Sequence, residues 1–144
     1  VKTRNLVLLA LACGLVILVA GVAFLARLVL NEDDLTVEVL AVGESAVIDD
    51  VAVAVTGSTV TDATLVDVTI DNASASRVFA GAGWSLQVDG ELRPVLDGDV
   101  DGGCAGQEVA PGASLACRLT FANTDDGGIV SYALNDEQRQ WALG

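Results

Sequence analysis

The acidic residues of this chain carry its most specific chemical pattern. Asp97-Gly98-Asp99-Val100-Asp101-Gly102, with Glu108 six residues further on, fits the D-x-D-x-D-G-x5-E spacing of a calcium loop. Ca²⁺ is a hard cation that takes about six to eight oxygens. Carboxylates from Asp97, Asp99, Asp101 and Glu108 around a glycine turn would supply most of them. Three departures set the segment apart from an EF-hand. Cys104 stands where an aliphatic residue belongs, Gly103 and Gly106 loosen the loop, and Pro111-Gly112 precludes a following helix. The competing reading is an Asp/Gly-rich hairpin loop in an Asp-rich chain. Calcium is thus the one cofactor the sequence offers.

Two cysteines border that loop. Cys104 and Cys117 lie outside the apolar N-terminal segment, in what the reading below makes an oxidising compartment, so they are expected to form a structural disulfide. Such a bridge closes about 13 residues and is worth about 2–4 kcal/mol. Two cysteines without histidine make a poor zinc site, and a redox pair is usually spaced more closely, as in C-x-x-C.

The remaining side chains mostly exclude. The chain has no histidine, which removes Ser-His-Asp and Cys-His nucleophilic systems and histidine-ligated zinc. There is no G-x-S-x-G, P-loop or dinucleotide fingerprint. Carboxylate pairs can do acid–base work, but with 20 acidic residues spacing alone nominates none. The chain is therefore read as a non-enzyme. A net charge of −13 excludes nucleic acid as a partner, since phosphate binding needs a basic surface.

The elements that hold these residues begin with an apolar run. Residues 6–26 contain no charge, and after Arg27 the run resumes as Leu28-Val29-Leu30. At about 1.5 Å per residue, some 21 residues match a hydrocarbon core about 30 Å thick. No polar face interrupts it, as a buried soluble helix would show. Lys2 and Arg4 precede the run and Asn31-Glu32-Asp33-Asp34 follows it, so the positive-inside rule keeps residues 1–5 cytoplasmic. Residues 6–30 then form a signal anchor, and residues 31–144 an extracytoplasmic domain. Two alternatives stand beside an uncleaved anchor: cleavage near Gly21-Val22-Ala23, and lipidation at Cys13. Ala10 and Gly14 make a small-xxx-small pair on the same helix. Val1 is read as a translated GTG start. With six arginines to one lysine, it suggests a prokaryote with GC-rich coding.

Beyond the anchor the pattern changes to short period-two runs at about 8–12-residue spacing. Strands are expected at 35–42, 51–55, 65–71, 84–88, 92–96, 115–121, 129–134 and 138–143, with a turn at Asp89-Gly90. Seven or eight such strands are the pattern of an all-β antiparallel sandwich. Trp84 and Trp141 fall at alternating positions, which favours core packing over exposed anchors. Asn72-Ala73-Ser74, formally a glycosylation sequon, reads as a turn after the third strand.

These residues resemble a known family. Val42-Gly43-Glu44-Ser45, then a valine-rich strand, then Val66-Asp67-Val68-Thr69-Ile70-Asp71-Asn72 is similar to the opening of a bacterial immunoglobulin-like domain family of unknown function. Trp84-Ser85-Leu86-Gln87-Val88-Asp89-Gly90 matches its hairpin, and Pro111-Gly112 leads into a strand ending at Phe121. The likeness covers residues 40–134. The family occurs in membrane-anchored proteins and lipoproteins, and its fold is similar to the mycobacterial immunoprotective extracellular protein. The resemblance implies an immunoglobulin-like sandwich and a non-enzymatic envelope module that binds a partner or serves structurally. It supplies no catalytic residue.

Overall fold

A computed structural model of the chain describes residues 2–30, 37–98, 101–123 and 125–144. It divides into two compact units, Val1–Thr36 and Val37–Gly144.

The first unit is one helix, α1 (Thr3–Leu30). Leucine and alanine favour it, and proline is absent from its 28 residues. Its span Thr3–Arg27 is long and apolar enough to cross a bilayer by length and composition. The side chains from Lys2 to Arg27 are exposed on every face.

The second unit is a β-sandwich. A five-stranded sheet has the order β1 (Val39–Ala41), β11 (Glu137–Ala142), β10 (Ile129–Leu134), β6 (Trp84–Val88), β7 (Glu91–Pro94). A four-stranded sheet runs β2 (Ser45–Ile48), β3 (Val51–Val60), β4 (Thr64–Asn72), β9 (Ser114–Phe121). A separate ribbon pairs β5 (Val78–Phe79) with β8 (Glu108–Val109). Neighbours are antiparallel except β1 and β11, which run parallel.

Alternation builds the core. Val51, Val53 and Val55 on β3, Val66, Val68 and Ile70 on β4, and Leu119 and Phe121 on β9 are buried. They join Trp84, Leu86, Val130, Tyr132 and Trp141 of the other sheet in one cluster. The intervening residues Asp67, Thr69, Ala116 and Arg118 stay partly or fully accessible, as a sheet with one wet face requires.

Several strands depart from the sequence expectation for identifiable reasons. The strand expected at 51–55 continues to Val60, because a bulge takes up Thr56 between the Val55–Val68 and Gly57–Asp67 pairs. The Thr56 hydroxyl steadies it by donating to the Asp67 carbonyl at 3.1 Å. β2 is absent from the expected strands, because Ser45–Ile48 is only four residues long. Asp49 and Asp50 have positive φ, 46° and 64°, and form the two-residue turn that returns β2 into β3. β5 and β8 are two residues each, too short to show a period. Of the strand expected at 35–42, only 39–41 is strand among the described residues; positions 35 and 36 lie outside them. The strand expected at 92–96 ends at Pro94, which lacks the donor to continue. Val95 then bridges to Phe121 on the other sheet.

Candidate functional site

The segment that follows Pro94 holds most of the residues singled out above. It runs along the outer edge of β9. The Leu96 amide donates to the Thr120 carbonyl at 2.8 Å, the Arg118 amide to Gly102 at 2.8 Å, and the Cys104 amide to Arg118 at 3.0 Å. Cys104 and Cys117 are joined by a disulfide across 13 residues of sequence, with Cα atoms 5.0 Å apart. Cys104 is fully buried. Past the bridge, Gln107 caps the turn, its amide donating to the Cys104 carbonyl and its side chain to Gly103. Its own carbonyl accepts from Ala80 at 2.8 Å and starts the β5–β8 ribbon.

This path takes three of the acidic residues of the calcium pattern, Asp97, Asp101 and Glu108, to different surroundings. Glu108 lies on β8 opposite Phe79, and its carboxylate accepts from Arg77 at 2.9 Å. Asp101 borders a groove of about 430 Å³ with Thr56, Asp67 and Arg118 on the outer face of the four-stranded sheet. Asp97 borders a different groove of about 330 Å³ with Phe79 and Val95. Asp99 lies outside the described residues. Among the described residues no three Asp, Glu, Cys or His side chains gather as a metal site. The spacing pattern presumes one contiguous loop, whereas here 102–104 pair with β9 and 108–109 with β5. A cation held by Glu108 would first have to displace Arg77.

Elsewhere the polar groups are structural. Arg118 donates from Nε to Asp67 Oδ1 at 2.7 Å. That hydrogen bond, and then the opposite charge, hold the guanidinium above its ordinary range against a small opposing effect of burial. Asn72 is buried at the end of β4 and donates to the carbonyls of Ser76 and Val109 at 2.7 and 2.9 Å. Its Oδ1 accepts from the Ser74 amide and hydroxyl at 3.0 and 2.6 Å, an Asx turn that also ties β4 to β8. With both side-chain ends engaged and the residue 2 % exposed, Asn72-Ala73-Ser74 forms the turn expected after the strand.

The tryptophans are core. Trp84 stacks obliquely on Tyr132 at 4.6 Å between centroids and on Trp141 at 6.1 Å. Their indole N–H groups donate to the carbonyls of Ala80 and Glu44, each at 2.9 Å. Burial pushes the Tyr132 phenol up from its ordinary value. Sequence reasoning gave no notice of Phe79, which is 55 % exposed on the ribbon; a two-residue strand carries no pattern to reveal it.

Comparison with known proteins bears on this geometry. No family model matches the chain, and no curated protein sequence matches it. Solved structures do. The chain is similar to the secreted protein MPT63 of Mycobacterium tuberculosis, with 15 % identity, TM-score 0.57, and coverage of 74 % of this chain and 99 % of that one. The sandwich has the MPT63 fold. The yjhA protein of Bacillus subtilis matches at 13 % identity and TM-score 0.61, covering 73 % of this chain and 99 % of its own. A predicted lipoprotein of Bacillus subtilis, ycdA, matches at 13 % identity and TM-score 0.55 over 69 % of this chain and 38 % of its own length. The immunoglobulin-like likeness drawn from residues 40–134 therefore stands at the level of fold, and the MPT63-like sandwich is the frame on which both grooves sit.

Proposed function

We propose that this chain is a single-pass protein of a bacterial cell envelope. Its N-terminal helix is an uncleaved anchor, and its sandwich is a non-enzymatic module held outside the cytoplasm that works by binding a partner. One combination carries this reading: a helix apolar on every face followed by a sandwich with a disulfide and the fold of a secreted protein. A disulfide persists where the surroundings oxidise, and exposed leucines and valines around a whole helix have no stable home in water.

The test is topological. In membranes from cells making the full chain, alkaline carbonate should leave the protein in the pellet. Protease added outside should digest the sandwich in intact spheroplasts. Cys104 and Cys117 should take up a maleimide only after reduction. Release by carbonate, protection from protease, or Cys104 and Cys117 labelled without reductant in a Cys13→Ala background would each sink the reading.

A further inference from the structure

The net charge of the chain belongs to one unit. Between 37 and 144 there are seventeen carboxylates, four arginines and no lysine. Each of those arginines is already paired: Arg77 with Glu108, Arg93 with Glu91, Arg118 with Asp67, and Arg139 with Glu137. The sandwich therefore repels anionic partners and attracts cationic ones over the length scale of a Debye layer.

On this acidic surface Phe79 is the sole exposed aromatic of the sandwich among the described residues. Phe79, Ala82, Val95 and Ala105 line the groove of about 330 Å³ introduced above, and Asp97 is the one carboxylate on its wall among the described residues. Asp97 makes no ion pair among the described residues. The groove is held open by covalent and close-packed structure. Ala105 follows the bridged Cys104. A Cβ at Gly81 would lie 3.1 Å from the Cys104 carbonyl oxygen and 3.2 Å from the Ala105 Cα, so the ribbon and the bridged segment already touch backbone to backbone. Preformed apolar concavities with one placed polar group are what side-chain recognition uses.

We propose that this groove receives an apolar or aromatic side chain from an extended basic segment of a partner protein, with Asp97 accepting a flanking lysine or arginine. The inference rests on the binding-module reading and names its site. The volume suits one large side chain. An anionic lipid or an acidic polymer is excluded as occupant by the charge of the surface around it.

Calorimetry on the full chain in nanodiscs of zwitterionic lipid tests it, with an acetylated and amidated Ala-Trp-Lys-Ala-Lys peptide as probe. The peptide should bind more weakly as salt rises. Replacing its Trp by Ala or its Lys by Glu should abolish measurable binding. Phe79→Ala and Asp97→Asn should each weaken it by about fivefold or more, the scale of an interface anchor. Both residues are exposed, so melting should be unchanged. No binding at millimolar peptide, equal binding of the Glu peptide, or unchanged affinity in both variants overturns the proposal. Formaldehyde crosslinking in native membranes separates this from the parent reading. An adduct formed equally by wild type and Phe79→Ala overturns the groove alone, whereas no adduct in any membrane preparation counts against the module itself.

Discussion

Gly83 occupies a position that admits no other residue. Its φ is +81°, and a Cβ there would collide with the carbonyl oxygen of Ala133, to which the chain is also tied by the Ala133 amide donating to Gly83 at 2.9 Å. Gly83→Ala combines left-handed strain with backbone overpacking, so a loss of about 2–4 kcal/mol is expected. Urea unfolding followed by tryptophan fluorescence measures it, and a loss below half a kcal/mol would contradict the geometry. Next to it, Tyr132 sets an alkaline limit. Its phenol titrates higher in the folded state than its unfolded value of about 10. The folded state thus keeps a proton that the unfolded state releases, and stability falls as pH rises from about 10 toward the folded value. Urea midpoints from pH 8 to 11 should be flat and then decline, with the decline reduced in Tyr132→Phe. At this scale much was readable: alternation placed Trp84 and Trp141 in the core. Pairings across 51 residues, such as Arg118 with Asp67, leave no trace in local pattern.

At the scale of elements, the disulfide loop acts as an edge cover. β9 is the last strand of its sheet, and an uncovered edge is a template for another chain. Leu96, Gly102 and Cys104 occupy its backbone groups, and the bridge to Cys117 holds them there. Replacing both Cys104 and Cys117 by alanine should cost about 2–4 kcal/mol from loop closure alone. It should also promote self-association, visible by light scattering at concentrations where the wild type stays monodisperse. Equal stability in the reduced and oxidised wild-type protein would refute this role. The β2–β3 turn offers a gain instead of a loss. Asp50 sits at φ 64°, where an L-residue is strained and glycine is not, so Asp50→Gly should stabilise by about 0.5–1 kcal/mol in the same unfolding assay. Strands with several alternating residues were legible, as Val66, Val68 and Ile70 show. The β5–β8 ribbon and the bulge at Thr56 were not, because each depends on a partner strand and not on its own period. The acidic pattern from Asp97 to Glu108 meets a related limit: spacing counts residues along the chain, while the fold sends 102–104 to β9 and 108–109 to β5.

The whole molecule divides its charge as sharply as its structure. Residues 1–36 hold three basic and three acidic side chains, so the entire net charge of −13 belongs to the sandwich. Two electrostatic effects then compete. Four surface ion pairs stabilise the fold, but their arginines are each 36 to 68 % exposed, and such pairs contribute little. Against them stands repulsion among thirteen carboxylates that no arginine compensates, crowded onto about 108 residues, which compaction makes worse. Repulsion between charges several ångströms apart is screened once the Debye length falls from about 30 Å at 0.01 M to about 3 Å at 1 M salt. Added NaCl should therefore stabilise the protein. Between 10 mM and 500 mM, a gain of about 1 kcal/mol is expected, which for a unit of this size raises the melting temperature by about 4–8 °C. Thermal melts in nanodiscs, read from Trp84 and Trp141 fluorescence so that only the sandwich reports, measure the shift. A melting temperature that falls with salt would mean that the four ion pairs outweigh the repulsion. The same salt series run on Asp97→Asn should give nearly the wild-type slope, because one carboxylate among seventeen changes the total field little while changing the groove at Phe79 completely.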